Sequence, residues 1–259
     1  MAEVLIGKPL AGIDCGSSFC KGALLQSGNI LALSRRPTGW NVAESGRLIL
    51  EELLESGGGG NPDGFKLAAT GYGREKIAGA DVVLTEIGAH ARGAEFLYPG
   101  IRTVIDIGGQ DCKVIATENG RARDFQMNDK CAAGSGRFLE MAASRLELDA
   151  HMMEELLALG KEAPLNSACA VFAESEIIGL LAAGVSREEI IGGAAVSMSR
   201  RIASLAARIG IASPAGITGG LSESAGIRAA LSRVLGTELQ PIPNGTYAGA
   251  IGAALFAGE

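Results

Sequence analysis

Two of the five cysteines in this 259-residue chain lie where a thiol could bind a metal. Cys131 falls in Asn-Asp-Lys-Cys-Ala-Ala-Gly-Ser-Gly, and Cys169 falls in Asn-Ser-Ala-Cys-Ala-Val-Phe-Ala-Glu. In each segment polar residues give way to a helical pattern, so each thiol is expected at a helix N-terminus. The free N–H groups there favour the thiolate, which binds soft metals and iron–sulfur clusters.

Two thiolates per chain make half of a four-cysteine ligand set, and no Cys-x-x-Cys pair supplies the other half. A two-fold dimer would bring two cysteines from each chain around one shared metal centre. The pattern alone fits equally well with two capped helices that happen to contain cysteine. A zinc bridge between chains is a further alternative.

A short pattern of one carboxylate and one glycine turn occurs twice along the chain. Each copy indicates a strand, a tight turn and a second strand that reaches a glycine hairpin. An internal repeat of this kind predicts two similar lobes. The offset is constant at 92 residues (106 − 14 = 92 and 113 − 21 = 92), and the matched pairs are Asp14 with Asp106, Gly16 with Gly108, Cys20 with Cys112, Lys21 with Lys113 and Gly28 with Gly120.

The repeat also sorts the remaining cysteines. Cys15 takes the position of Ile107 in the second copy, which predicts a small packed side chain. Cys20 and Cys112 are equivalent to each other and lie inside predicted strands, where burial is expected. These three cysteines are therefore assigned to structure.

The two glycine turns are candidate phosphate-binding loops. Glycine lets backbone N–H groups approach an anion closely, and a carboxylate at a strand end can hold hydrated Mg²⁺. A lone turn of this type is usually a hairpin, but two copies in register favour a nucleotide site. A glycine pair that follows a later predicted strand is expected beneath the nucleoside. The residues concerned are Asp14, Gly16, Ser17 and Ser18 in the first copy, Asp106, Gly108, Gly109 and Gln110 in the second, and Gly219 and Gly220 in the pair.

Composition restricts the function classes. The net charge of −6 and the pI near 5.2 give no electrostatic footprint for nucleic acid or an anionic membrane. No run of about 18 apolar residues is present, and the N-terminus lacks an export signal, so a cytoplasmic protein without a membrane span is expected.

The remaining pattern is α/β throughout. Helices are expected over 41–55, 85–97, 137–148, 174–183, 187–209, 224–235 and 247–257, strands over 66–70 and 215–218, and a glycine-rich loop over 56–64. The expected domains are an N-terminal lobe over 1–100 and a C-terminal lobe over 101–259 that carries the cysteine helices. The last helix is expected to pack back on the N-terminal lobe.

The order of two phosphate loops and a later glycine pair resembles the actin, sugar-kinase and heat-shock-protein-70 ATPase superfamily. That resemblance implies two ribonuclease-H-like lobes with ATP and Mg²⁺ in the cleft between them. More specifically, both cysteine segments resemble the cluster-ligand motifs of the activators of 2-hydroxyacyl-CoA dehydratases, within the BadF/BadG/BcrA/BcrD ATPase family. The similarity runs nearly end to end, because four further segments also match: Thr70–Arg74, Glu86–Gly93, Asp106–Asp111 and Gly249–Phe256.

The family resemblance implies a homodimer that bridges one 4Fe-4S cluster through Cys131 and Cys169. It implies ATP-driven, one-electron reduction of a partner iron–sulfur protein, which would be a 2-hydroxyacyl-CoA dehydratase, a benzoyl-CoA-type reductase or a double-cubane cluster protein. Ferredoxin or flavodoxin is the expected electron donor.

Each nucleotide-site residue then receives an expected role. Asp14 and Asp106 would hold hydrated Mg²⁺, Lys21 would neutralise phosphate charge, and Gln110 would orient the attacking water. Gly134, Ser135 and Gly136 would face the phosphates at the start of the helix after Cys131. We expect this helix to link nucleotide state to the position of that thiol.

Two alternatives remain at this stage. A small-molecule kinase of the N-acetylglucosamine kinase type would use the same fold and would need a catalytic carboxylate, for which Asp129 is the one candidate. A nucleotide-sensing or scaffolding protein with a structural zinc would use the same cysteines without electron transfer.

Overall fold

The first part of the chain forms a five-stranded sheet with two helices. The structure, a computed structural model, describes residues 8–57, 64–166 and 169–259; most of the loop expected over 56–64 thus lies outside the described residues. The elements in order are β1 Leu10–Cys15, β2 Phe19–Gln26, β3 Asn29–Pro37, α1 Val42–Ser56, β4 Lys66–Thr70, β5 Val82–Val83 and α2 Glu86–Leu97.

The second part repeats this plan with additional helices. Its elements are β6 Thr103–Ile107, β7 Cys112–Glu118, β8 Arg121–Asn128, α3 Gly136–Arg145, α4 Ala150–Ala158, α5 Ala170–Ala182, α6 Arg187–Ile209, β9 Ala215–Gly219, α7 Ala225–Leu235, β10 Leu239–Gln240 and α8 Ala248–Ala257. Helix α4 has no counterpart among the helices expected from the sequence, and α5 begins four residues before the expected start at Glu174. Among the described residues, no helix is both long and apolar enough to cross a bilayer.

The two sheets have the same strand order. The first is β3-β2-β1-β4-β5 and the second is β8-β7-β6-β9-β10. In each sheet the central strand pairs antiparallel with the strand that comes next in the chain, and parallel with the strand after the helical connection. The duplicated ribonuclease-H-like fold expected from the sequence is confirmed.

The chain separates into two compact units. Unit 1 comprises Met1–Gly100, Glu118–Ala122 and Asn244–Glu259, and unit 2 comprises Ile101–Thr117 and Arg123–Pro243. Each unit has its own apolar core. The core of unit 2 contains buried residues of α3 and α6, among them Phe138, Leu139 and Ile202.

Strand β1 is buried on both faces, which explains why it lacks the alternation of a half-exposed strand. Ile49 and Leu53 of α1 belong to the same core cluster as Ile13. On the other face α8 packs directly on the backbone, because a Cβ at Gly12 would lie 2.0 Å from the carbonyl oxygen of Ala250. The glycine- and alanine-rich sequence of α8 therefore serves close packing.

The structure extends the repeat beyond its sequence match. Thr70 lies opposite Asp14 in the β1–β4 ladder, and Thr218 lies opposite Asp106 in the β6–β9 ladder. Each threonine precedes a glycine with positive φ, +94° at Gly71 and +85° at Gly219. The spacing here is 148 residues (218 − 70 = 148) rather than 92, because α3 to α6 replace the single helix α1, so the fixed offset hid this match.

Candidate functional site

The turn between β1 and β2, Gly16–Phe19 (loop 1), is closed by a hydrogen bond from the Gly16 N–H to the carbonyl oxygen of Phe19, at 3.0 Å. Thr38, at the end of β3, fixes this loop from behind. Its N–H donates to Ser18 O at 2.9 Å, and its Oγ1 donates to Gly16 O at 2.7 Å. The carbonyl of Thr38 in turn accepts from Ser45 in α1 at 2.7 Å. Loop 1 is thus held by the framework of unit 1.

Loop 1 contains a buried hydroxyl group, that of Ser18, whose hydrogen-bonding capacity no described residue uses. The Oγ of Ser18 is buried and has no hydrogen-bond partner among the described residues. Buried hydroxyl groups are nearly always hydrogen-bonded, because an unsatisfied one costs about 1–3 kcal/mol. A phosphate oxygen at the loop would satisfy this donor. Ser17, beside it, is half-buried.

The carboxylate of Asp14 lies at the end of β1 and is 3% exposed. Lys21 Nζ donates to its Oδ2 at 3.5 Å, and His90 Nε2 lies 3.9 Å from the same oxygen. Gly249 of α8 makes room for both side chains, because a Cβ there would lie 2.7 Å from Asp14 Oδ2 and 2.8 Å from His90 Nε2. The helical pattern around His90 indicates only a packing residue, so the sequence does not reveal its place beside the carboxylate.

The turn between β6 and β7, Gly108–Asp111 (loop 2), has the same closure as loop 1. The Gly108 N–H donates to Asp111 O at 3.0 Å. Its support is different, because the start of α3 binds it directly: the Gly136 N–H donates to Gly108 O at 2.9 Å, and the Arg137 N–H donates to Gly109 O at 3.0 Å. Loop 2 and the first turn of α3 therefore form one hydrogen-bonded body.

The N–H groups of Gly134, Ser135 and Gly136, which were expected to face the phosphates, all donate to protein carbonyl groups. The Gly134 and Ser135 N–H groups donate to the carbonyls of Cys131 and Ala132, and the Ser135 hydroxyl also donates to Ala132. Direct phosphate contact by this segment stays a prediction. The observed contact is with loop 2, through backbone.

Asp106 is held at both carboxylate oxygens. Thr218 Oγ1 donates to Oδ1 at 3.3 Å, and Lys113 Nζ donates to Oδ2 at 3.2 Å. The glycine pair lies close by: a Cβ at Gly219 would be 2.5 Å from Asp106 Oδ1, and the Gly220 N–H donates to the carbonyl of Ile107 at 3.1 Å. The structure thus brings together the carboxylate, loop 2 and the glycine pair expected beneath the nucleoside.

Two further residues of the predicted set are exposed. Gln110 is at the tip of loop 2 and is exposed to solvent. Asp129, which the kinase hypothesis required, is exposed between β8 and Cys131.

Cys131 and Cys169 are both exposed. Cys169 immediately precedes α5, whereas Cys131 precedes a single 3₁₀ turn, Ala132–Gly134, and α3 begins only at Gly136. The side chain of Asn128 clamps the backbone of Cys131. Its Oδ1 accepts from the Cys131 N–H at 3.1 Å, and its Nδ2 donates to the Cys131 carbonyl at 2.8 Å. Cys169 is the N-cap residue of α5, and α5 packs on α3 through an ion pair between Arg145 and Glu174.

The other three cysteines have the opposite character, as expected. Cys15, Cys20 and Cys112 are fully buried. A hydrogen bond with Cys15, then burial, raises the pKa of the Cys20 thiol far above its ordinary value, and burial followed by the Asp106 carboxylate raises the pKa of Cys112. Burial thus disfavours the thiolate at Cys20 and Cys112, whereas Cys131 and Cys169 are the exposed cysteines among the described residues. Two accessible thiols at helix starts fit a cluster that needs two ligands from each of two chains.

Several residues of the site were not found from the sequence. Lys113 was recognised only as the equivalent of Lys21, and no role was predicted for Asp111. Thr38 gives no signal, because a single threonine near a strand end is common, and Asn128 belongs to the quoted Cys131 segment without a predicted role of its own. The repeat itself was the one available pointer to Lys113.

Comparison with known proteins identifies the family of the chain. The sequence profile of the BadF/BadG/BcrA/BcrD ATPase family matches residues 11–257. The (R)-2-hydroxyglutaryl-CoA dehydratase activating ATPase of Acidaminococcus fermentans is 44% identical over 249 residues, which are 95% of each chain.

Solved structures give the same result. The crystal structure of component A of the Acidaminococcus fermentans dehydratase matches with a TM-score of 0.92 at 41% identity, covering 98% of this chain and all of that one. The activator of 2-hydroxyisocaproyl-CoA dehydratase from Clostridium difficile, with bound ADPNP, matches with a TM-score of 0.89 at 38% identity, covering 96% and 94%. A glucokinase of the ROK family from Streptomyces griseus, 19% identical with a TM-score of 0.57 over 96% and 98%, shares the fold alone. The chain belongs to the BadF/BadG/BcrA/BcrD ATPase family.

Proposed function

We propose that this protein is a homodimeric ATPase that uses ATP hydrolysis to deliver single electrons to a partner iron–sulfur enzyme. The observation that carries the proposal is the backbone connection between loop 2 and the segment that bears Cys131. Three relatives named as dehydratase activators, and one named as a component of benzoyl-CoA reductase, support the activator role.

The nucleotide part of the proposal rests on the two loops. Loop 1 supplies N–H groups, the unsatisfied Ser18 hydroxyl and the Lys21 ammonium for phosphate oxygens. Asp14 and Asp106 would hold hydrated Mg²⁺, because this ion keeps most of its waters when a protein binds it. The glycine pair after β9 supports the nucleoside, and Gln110 turns inward to orient the attacking water.

The metal part rests on the exposed cysteines. Cys131 and Cys169 of each chain would hold one 4Fe-4S cluster shared by the dimer, and such a cluster carries one electron at a time. Helix α5 begins directly after Cys169, and the partial positive charge at its N-terminus would favour the negative charge of the thiolate ligand.

The dimer is supported by the surface next to Cys169. Val171 and Phe172 are 68% and 69% exposed, and Ile178 lies exposed further along the same helix. Large apolar side chains on the surface mark contact sites when they cluster. A second copy of the chain, related by a two-fold axis, would cover this face of α5 and bring the two cysteine pairs together.

The coupling follows the hydrogen bonds. When the γ-phosphate leaves, loop 2 shifts, and Gly136 and Arg137 move with it because their N–H groups bind its carbonyls. The short helical turn between Cys131 and Ser135 transmits this shift to the thiol. A cluster held by Cys131 and Cys169 would supply the electron for the acceptor, which would be a 2-hydroxyacyl-CoA dehydratase, a benzoyl-CoA-type reductase or a double-cubane cluster protein. Ferredoxin or flavodoxin would re-reduce the protein.

The test is anoxic purification with iron and sulfide reconstitution, followed by iron analysis, absorbance near 400 nm and mass measurement. We expect a dimer that contains about two iron atoms per chain and hydrolyses ATP. Zinc without iron would support a nucleotide-sensing or scaffolding protein instead. A metal-free protein that phosphorylates a sugar would establish a kinase.

A further inference from the structure

The two repeat copies differ at one position, and this difference changes the ion pairs of the lysine that follows it. Asp111 in loop 2 is equivalent to Phe19 in loop 1 (111 − 19 = 92). Lys113 Nζ donates both to Asp106 Oδ2 at 3.2 Å and to Asp111 Oδ2 at 2.8 Å. In the other copy no carboxylate stands in the place of Asp111, and Phe19 is instead covered by the guanidinium of Arg35, 3.9 Å from the ring centre.

The lysine contacts differ accordingly. The Lys113 side chain is 3% exposed and lies between two carboxylates. The Lys21 side chain is 11% exposed, and its ion pair with Asp14 is long, at 3.5 Å. A doubly paired and more buried ammonium group with shorter contacts has less freedom to turn toward a ligand than a singly paired one. The two lysines are equivalent in sequence but not in mobility.

Asp111 also has a fixed place in loop 2. A Cβ at Gly108 would lie 2.3 Å from Asp111 Oδ1, so this carboxylate folds over the first residue of the loop. Lys113 therefore joins the carboxylate before the loop to the carboxylate at its end. The formal charges of this group sum to −1 (−2 + 1 = −1), whereas Asp14 and Lys21 sum to zero (−1 + 1 = 0). The excess negative charge in unit 2 is suited to a hydrated cation.

We propose that Lys113 is a positioning residue that holds Asp106 and Asp111 at the two ends of loop 2, while the equivalent Lys21 remains free to contact phosphate. This inference rests on the proposed function, because it assigns tasks within the same nucleotide site. The difference between Asp111 and Phe19 explains why Lys113 positions carboxylates whereas Lys21 contacts phosphate. Removal of Lys113 should affect the rate of hydrolysis, and removal of Lys21 should affect the binding of nucleotide.

The experiment compares Lys113→Met, Lys113→Arg and Lys21→Met in the full chain. The turnover number kcat is measured with ATP and Mg²⁺, and Kd is measured by titration with a fluorescent ADP in EDTA. For Lys113→Met we expect kcat to fall about 30-fold while Kd changes less than about threefold, with partial recovery of kcat in Lys113→Arg. For Lys21→Met we expect Kd to rise about tenfold.

A rise in Kd of equal size in both methionine variants, or an unchanged kcat in Lys113→Met, would overturn the inference. Because Lys113→Met removes the cation that contacts both the buried Asp106 and its neighbour Asp111, folding is checked by thermal unfolding. Should that variant fail to fold, Asp111→Asn decides: it removes the negative charge at one contact of Lys113 and leaves the buried pair with Asp106. We expect it to lower kcat about tenfold with Kd unchanged, and an unchanged kcat would reject the positioning role.

The outcome also separates this inference from the proposed function. If the wild-type protein binds no nucleotide and hydrolyses no ATP, the proposed function fails, and the inference fails with it. If the wild type hydrolyses ATP and the two lysine variants behave alike, the inference alone is wrong.

Discussion

Loop 1 and loop 2 have the same closure and the same strand register, but they are anchored to different parts of the chain. Loop 1 is held by Thr38, which is bonded in turn to α1. Loop 2 is held by the first N–H groups of α3, shortly after Cys131. The residue that corresponds to Cys131 in the first copy is Gly39 (131 − 39 = 92). Loop 1 is thus supported by the framework of unit 1, and loop 2 is supported by a helix that begins shortly after a candidate metal ligand.

The second copy of the duplicated fold differs from the first because the support of its loop is connected to a candidate metal ligand. The strands, the turn and the carboxylate–lysine pair are common to both copies. The copies diverge after their third strand, where unit 2 has α3 to α6 in place of one helix. Coupling between nucleotide and metal is therefore expected through loop 2 alone.

The largest expected effect concerns the cysteines. Cys131→Ser and Cys169→Ser each remove a thiolate that nothing else in the described chain replaces, so we expect the iron content after anoxic reconstitution to fall to background. Cys112→Ala is the matched control from the buried set. It should retain iron and lose about 1 kcal/mol of folding stability, because it deletes one buried sulfur. Iron loss in the control equal to that in Cys131→Ser would remove the distinction between the two sets.

The next effect compares the first glycine of each loop. A Cβ at Gly108 would lie 2.3 Å from Asp111 Oδ1, whereas a Cβ at Gly16 would lie 3.1 Å from the carbonyl of Phe19. We expect Gly108→Ala to lower kcat/KM for ATP about 100-fold and Gly16→Ala to lower it only a few-fold, since the first clash displaces a charged group of the site. Steady-state ATPase assays of the two variants measure the ratio. Equal losses would mean that the loops are more alike than their contacts indicate.

The smallest effect concerns the support of loop 1. Thr38→Val keeps the shape of the side chain and removes the hydrogen bond from Oγ1 to Gly16 O, which should cost about 1 kcal/mol of stability. We expect a rise in nucleotide Kd of a few-fold, measured by titration, with the metal site unaffected. A change in the metal site of this variant would show that loop 1 is also coupled to it.

Much of this organisation could be predicted from the sequence. The constant offset of 92 residues identified both turns, and the contrast between strand and helix-start positions separated the buried cysteines from Cys131 and Cys169. The positions of the turns and the burial of the cysteines could be predicted because each depends on a short run of neighbouring residues.

Other parts depended on contacts between residues far apart in the chain. The hydrogen bonds from Gly136 and Arg137 to loop 2 join backbone groups. Such bonds cannot be predicted from the types of the residues that make them. The equivalence of Thr70 and Thr218 was hidden by the extra helices of unit 2. The task of Lys113 depends on Asp111, which in the sequence resembles an ordinary turn residue.

The central claim is that the bound nucleotide affects the position of the Cys131 thiol. The most direct test measures how fast a chelator removes iron from the reconstituted protein, once with ADP and once with a non-hydrolysable ATP analogue. We expect the two rates to differ about tenfold in the wild type, since a shift of loop 2 changes the exposure of the Cys131 segment. In Gly134→Val a Cβ would lie 2.9 Å from Asn128 Nδ2 and would release the clamp on Cys131. This variant should show equal rates when each nucleotide is present at a concentration that saturates it. Equal rates in the wild type, or an undiminished difference in Gly134→Val, would contradict the connection between nucleotide and thiol.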